Sequence, residues 1–82
     1  MEKTITMKVR KDPAPKEQRS LLKLKGSLIS KGYTQIIHIE DLDEVFHLNT
    51  FEIPEQMGDE VRQYIAAFIA SQELSQTITI TN

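Results

Sequence analysis

Eighty-two residues, 39% of them hydrophobic and 27% charged, predict a single globular domain over residues 1–82 rather than a disordered chain. The absence of cysteine excludes disulfides, thiolate metal sites and thiol catalysis. The charge is unevenly distributed. Residues 1–33 hold nine basic and three acidic residues, a net +6, whereas residues 34–82 hold one basic and nine acidic residues, a net −8. Such asymmetry indicates charged partners more strongly than the total of −2 does.

Apolar runs in this chain are short. The longest, from Ile65 to Ala70, is six residues, whereas about 20 are needed to span a bilayer. The N-terminal residues contain no long apolar segment of the kind found in secretory signals. We therefore expect a cytoplasmic protein without membrane contact.

Residues 3–10 alternate between apolar and polar side chains, which predicts a strand with one buried face. Residues 12–15 (Asp-Pro-Ala-Pro) end that strand, and proline suits the first turn of a following helix. That helix has an apolar face rich in leucine and should end at Gly32. Its opposite face carries three basic residues: Lys16, Arg19 and Lys23.

Lys25 interrupts the apolar face of this helix, directly before Gly26. The favoured interpretation is that its aliphatic stem packs while the amine reaches water. The alternative is that the helix ends or bends near Lys25.

Residues 34–39 and 45–53 predict two strands around an acidic turn at residues 41–44. The turn lacks the Asn-Gly type of signal, so side chains should decide the register. One register places four apolar residues on the buried face: Ile37, Ile39, Phe46 and Leu48. It also places His38 opposite His47, on the face away from the helices.

The second of these strands changes phase along its length. Phe51 and Ile53 belong to the opposite alternation from the apolar residues at its start. A bulge near residues 49–50 would return both sets to the core side.

Residues 54–73 have the strongest helical pattern, with an apolar stripe in which Phe68 is central and should be among the most buried residues. Residues 77–81 alternate again and predict a last strand. The resulting order, strand-helix-strand-strand-helix-strand, is typical of an α+β ferredoxin-like βαββαβ fold, with a four-stranded antiparallel sheet and two helices on one face. The first and last strands should then be neighbours. An alternative is a hairpin-rich α+β fold in which the chain near Lys25 is not helical.

Chemical signatures are weak. In the favoured register His38, Glu40 and His47 share one face, which makes them weak candidates for a zinc or nickel site, whereas a solvated hairpin is the more ordinary interpretation. No nucleophile elbow, oxyanion-hole motif or glycine-rich phosphate loop is present. We therefore expect neither an enzyme nor a cofactor.

Basic residues are the best candidates for binding. Five of them should mark a surface for a protein partner or for nucleic acid: Lys8, Arg10, Lys16, Arg19 and Lys23. Readers of single-stranded RNA on this topology place aromatic residues on the open sheet face. The open face expected here has none: it should carry Thr4, Thr6, Lys8, His38, His47, Asn49, Thr77, Thr79 and Thr81, with Ile36 and Val45 as a small apolar centre.

The sequence thus favours a small non-enzymatic interaction or regulatory protein, of inhibitor or adaptor type, that acts through a charge-polarised surface. Self-association is part of this expectation, because a flat threonine-rich sheet face can pack against a second copy. The alternative is a nucleic-acid-binding protein that uses the basic first helix and the end of the first strand.

Overall fold

The computed structural model describes residues 1–81. Its strands and helices occur in the order that the sequence predicts. The elements in chain order are β1 (Glu2–Arg10), α1 (Pro15–Ser30), β2 (His38–Asp41), β3 (Phe46–Pro54), α2 (Gly58–Ser71) and β4 (Ile78–Ile80). A 3₁₀ turn, Glu55–Met57, leads into α2. The strands lie in the order β2-β3-β1-β4 and all pairs are antiparallel. The ferredoxin-like arrangement and the contact between the first and last strands are therefore confirmed.

The core lies between one face of the sheet and the two helices. Alternate residues of β1 (Ile5, Met7 and Val9) are buried, as the pattern of residues 3–10 predicts. They belong to one cluster with buried residues of β3, α1 and α2: Phe51, Ile53, Leu21, Leu24, Leu28, Val61 and Ile65. The two helices thus cover the same face, and the other face of the sheet is open.

Helix α1 is continuous through Lys25 and Gly26, and Lys25 is half-buried. The packed-stem interpretation of Lys25 is thus confirmed, and the alternative fold is excluded. Gly32 ends the helix with φ +78°, a conformation that costs glycine little. The N–H of Gly32 donates to the carbonyl of Ile29, and that of Tyr33 donates to the carbonyl of Leu28, which completes a Schellman cap.

Helix α2 ends in the same motif without a glycine. Glu73 adopts φ 56°, and the N–H of the buried Leu74 donates to the carbonyl of Ile69. The prediction for Phe68 is wrong: its ring is only half-buried, at the margin of the core, where it packs 6.3 Å from Tyr64. Phe51 on β3 occupies the central position instead and is fully buried.

The predicted hairpin register is also wrong. β2 and β3 pair so that His38 lies opposite Thr50 and Asp41 lies opposite His47. The turn explains the difference, because Oδ1 of Asp43 accepts from the N–H groups of Val45 (2.8 Å) and Phe46 (2.9 Å) and tightens the loop. These two backbone donors also lower the pKa of Asp43.

The predicted bulge does not form. β3 pairs with β1 without interruption over nine residues, from Phe46 opposite Arg10 to Pro54 opposite Glu2. In a strand without a bulge, only every second side chain points to the core. In β3 these are the side chains in phase with Phe51. Phe46 and Leu48 consequently lie on the open face. The four residues expected to be buried are half-buried or, for Ile39, 55% exposed.

Candidate interaction surfaces

The outer face of α1 combines basic and apolar side chains. We define it by five exposed residues: Lys16, Arg19, Leu22, Lys23 and Ile29. Their spacing follows from the helix, because the leucines at 21, 24 and 28 take the side that packs on the sheet. Leu22 is 58% exposed and Ile29 46%. Gly26 is exposed and lies between Leu22 and Ile29 in the sequence, and no atom outside the backbone of its own helix lies within 4 Å of where its Cβ would be.

The three cations of this face have no internal counterions. Neither Lys16, Arg19 nor Lys23 forms an ion pair with an acidic group in residues 1–81. By contrast, Arg10 lies 3.6 Å from Asp12. The charge of the outer face is therefore not neutralised by nearby carboxylates of the same fold, which leaves it available to a partner of opposite charge.

The five basic candidates do not form one surface. Lys8 and Arg10 alternate with Met7 and Val9, so their side chains lie on the open sheet face, on the opposite side of the sheet from α1. The expected single basic patch is therefore two patches. The patch on the open face is already engaged, since the amine of Lys8 lies over the ring of Phe46, 4.5 Å from its centroid.

The open sheet face differs from the predicted one. Asn49 and Thr77 are buried and His47 points toward the helix layer, so these three residues do not belong to it. Thr79 does, next to Lys8. Phe46 was missed, because the register expected from the sequence buried it. An aromatic ring beside Lys8 is therefore present on the face that was expected to have none.

The weak metal candidates are separated by the register. His38 and Glu40 lie on the open face, whereas His47 lies opposite Asp41 on the helix side of the sheet. Within residues 1–81 no group of three or more histidine, cysteine or acidic side chains could hold a metal ion. The register of the sheet thus separates the three residues whose expected common face suggested a metal site.

A cavity of about 200 Å³ lies beneath α1, with Val9, Leu21 and Ile39 among its walls. His47 and Asn49 line it from the sheet, and Lys25 lines it from the helix. Oδ1 of the buried Asn49 has no hydrogen-bond partner in residues 1–81. Nδ1 of His47 lies 3.3 Å from Oδ1 of Asp41 but is not aligned as a hydrogen bond. Burial lowers the pKa of Lys25.

A wider groove of about 630 Å³ lies between the loop after α1 and the ends of β1 and β3. Glu2 and Glu52 line it, and the hydrogen bond between their carboxyl groups, with their mutual repulsion, raises the pKa of Glu2. Tyr33 also lines it, and its hydroxyl donates to Glu60 at 2.7 Å. That hydrogen bond raises the pKa of Tyr33. Both shifts favour the protonated forms of Glu2 and Tyr33, which are weaker nucleophiles than the deprotonated forms.

Comparison of the chain with protein-family models, curated proteins and solved structures finds no match. None of the helices in residues 1–81 is long and apolar enough to cross a membrane. A function has to be inferred from the surfaces themselves.

Proposed function

We propose that this chain is a non-enzymatic interaction protein, of inhibitor or adaptor type, that binds an acidic and partly apolar protein surface through the outer face of α1. The observation that carries the proposal is the combination of unpaired cations with exposed Leu22 and Ile29 on one helix. Cations alone would suit a phosphate backbone equally well. Aliphatic side chains beside them favour a protein, because apolar groups at the centre of an interface lose water on contact.

The test is cross-linking from the face itself. A photoreactive benzoylphenylalanine replaces Leu22, and a control chain carries it in place of Gln63, an exposed residue of α2. Nuclease-treated host lysate is irradiated with each, and adducts are identified by mass spectrometry. We expect a discrete adduct from position 22 only, which the triple change Lys16→Gln, Arg19→Gln and Lys23→Gln abolishes. Identical adducts from both positions, or none, would contradict the proposal.

Nucleic-acid binding is the second candidate, and Phe46 is the observation that favours it. Bases stack on aromatic rings that solvent reaches, and the ring of Phe46 is half-buried on the open face, with Lys8 and Arg10 next to it. The two candidates use opposite sides of the molecule, so a change on either side separates them.

Gel-shift titration with single-stranded RNA and DNA provides that separation. If nucleic acid is the ligand, Phe46→Ala with Lys8→Gln should weaken binding, and log affinity should fall linearly with log salt. The triple change on α1 serves as the matched control. Our first proposal predicts no binding at physiological salt in wild type or in either variant.

A further inference from the structure

The β2 edge carries a cluster of exposed large apolar residues. We define this edge as residues 36–42, the chain that borders the sheet beyond β3. Of the seven large apolar residues that are exposed in residues 1–81, three lie on this edge and a fourth, Val45, follows in the turn. The three on the edge are Ile36, Ile39 and Leu42. Exposed edge strands are usually protected by charged side chains, above all lysine, by proline or by a bulge. This segment contains neither lysine nor proline, and its charged residues are the two acids Glu40 and Asp41.

The hydrogen-bond phase of β2 shows which backbone groups point outward. The N–H of Leu42 donates to the carbonyl of Phe46 across the hairpin, and the paired residues continue in that phase along β2. In an antiparallel ladder, residues two apart face the same neighbour. The backbone groups of His38 and Glu40 are thus directed to β3, whereas those of Ile37, Ile39 and Asp41 are directed away from the sheet.

We propose that two copies of this chain pair antiparallel along the β2 edge, with Ile39 opposite Ile39 of the second copy. In this register the outward N–H and C=O groups of Ile37, Ile39 and Asp41 lie opposite the outward groups of the second copy and form hydrogen bonds with them. It also places His38 opposite Glu40 of the second copy on the open face, where an imidazole N–H donates to a carboxylate. Ile36 lies opposite Leu42 at each end, so exposed apolar side chains meet.

Neighbouring registers lack this complementarity. A shift of two residues in one direction places His38 opposite itself and Ile36 opposite Glu40. A shift in the other direction places Glu40 opposite itself, and like charges directly opposite each other are destabilising. In the proposed register the acids of the turn meet only neutral residues, those at positions 34–37. The two sheets then form one antiparallel sheet about a twofold axis.

This edge is distinct from the outer face of α1, so the dimer and the proposed function can fail independently. The interface consists mainly of one short strand from each copy, which is typical of weak association. The dimer should therefore be detected by light scattering as the protein concentration rises from micromolar to millimolar, with the apparent mass rising above the 9.4 kDa of the monomer. Ile39→Lys should remain folded, because Ile39 is exposed, and should stay monomeric.

The register is tested with a single cysteine in a chain that has none of its own. Directly opposite residues in a hydrogen-bonded pair have Cα atoms about 5.5 Å apart, within the range of a disulfide. Under mild oxidation Ile39→Cys should form a covalent dimer at least about tenfold faster than Leu22→Cys, a similarly exposed position on α1. Equal rates at both positions would overturn the proposal.

A charge exchange tests the same register without a covalent bond. His38→Glu should weaken the dimer, because each new carboxylate faces Glu40 of the second copy. Adding Glu40→Lys should restore it, since each glutamate then faces a lysine. A wild-type protein that stays monomeric at every concentration, or a double variant no better than the single one, would overturn the proposal.

Discussion

Phe51 and Phe68 test how burial is distributed in the core. Phe51 is fully buried, whereas Phe68 lies half-buried at its margin. We expect Phe51→Ala to lower the free energy of unfolding by about 3–5 kcal/mol, since it removes contacts on all sides. Phe68→Ala should cost only about 1–2 kcal/mol. Urea denaturation of both variants measures the difference, and equal costs would mean that the core is centred closer to α2.

Lys25 is a half-buried cation without a carboxylate partner in residues 1–81. Burial lowers its pKa, so the folded state is penalised while the amine is charged. Lys25→Met should therefore stabilise the protein. Because solvent still reaches the amine, we expect only about 0.5 kcal/mol, or roughly 2–4 °C in Tm.

The pH dependence of this gain gives a control. The penalty is present at neutral pH, where lysine is charged in both states, and disappears as pH rises toward the ordinary value of 10.5. The stability of wild type should therefore approach that of Lys25→Met in alkaline solution. A gain from Lys25→Met that stays constant with pH would indicate improved packing rather than removal of charge.

The two helices end in the same motif with different residues at the left-handed position, Gly32 after α1 and Glu73 after α2. A Cβ at Gly32 meets no atom within 4 Å, so Gly32→Ala is opposed by backbone conformation alone and should cost about 1–2 kcal/mol. Glu73→Gly should raise the free energy of unfolding by about 0.5–1 kcal/mol. The strain of a left-handed residue other than glycine is removed, and this gain exceeds the cost of the greater chain entropy of the unfolded state. Thermal unfolding measures both, and a loss of stability in Glu73→Gly would contradict this explanation.

Glu17 joins the start of α1 to the segment before β4. One carboxylate oxygen accepts from the N–H of Ala14 at 2.8 Å, and the other accepts from the hydroxyl of Thr77 at 2.9 Å. These hydrogen bonds, that from Ala14 first, lower the pKa of Glu17. Glu17→Gln should therefore reduce Tm at neutral pH, because an amide offers only one acceptor oxygen.

A lowered carboxyl pKa contributes stability above the ordinary value of 4.5 and loses it as pH falls through the folded value. The difference in Tm between wild type and Glu17→Gln should therefore be largest at neutral pH and should disappear in acid. Glu44→Gln, at an exposed acid in the β2–β3 turn, is the matched control and should change little. A difference that persists in acid would mean that the substitution acts through packing.

The order of the strands and helices could be predicted from the sequence because each carries its own periodicity, but the hairpin register could not. Two apolar sets of opposite alternation compete in β3, those containing Phe46 and Phe51. Which set faces the core is decided by nine residue pairs between β3 and β1. Because β1 is distant in the sequence, the pattern within β3 does not predict these pairs. The side-chain cap from Asp43 then shortens the turn. The exposed cations of α1 could be predicted because helical periodicity alone places them on one face. The contact between Lys8 and Phe46 could not be predicted without the correct register of β3.

The molecule as a whole is electrically polarised, with a net +6 in residues 1–33 and −8 in residues 34–82. The fold confines part of the positive charge to the outer face of α1 and exposes acids in the β2–β3 turn. Such polarity orients approaching partners and raises association rates at low ionic strength. Partner binding should be compared at protein concentrations below those at which the proposed β2-edge dimer would form.

The association rate with the protein cross-linked from position 22 tests the role of the outer α1 face most directly. Stopped-flow mixing of that purified partner with wild type should show a rate constant that falls as salt is added, by about tenfold or more between low and physiological ionic strength. The triple change Lys16→Gln, Arg19→Gln and Lys23→Gln should remove most of this salt dependence. The open-face change Lys8→Gln should leave it intact. A triple variant that associates as fast as wild type at low salt would contradict the assignment of this face as the binding surface.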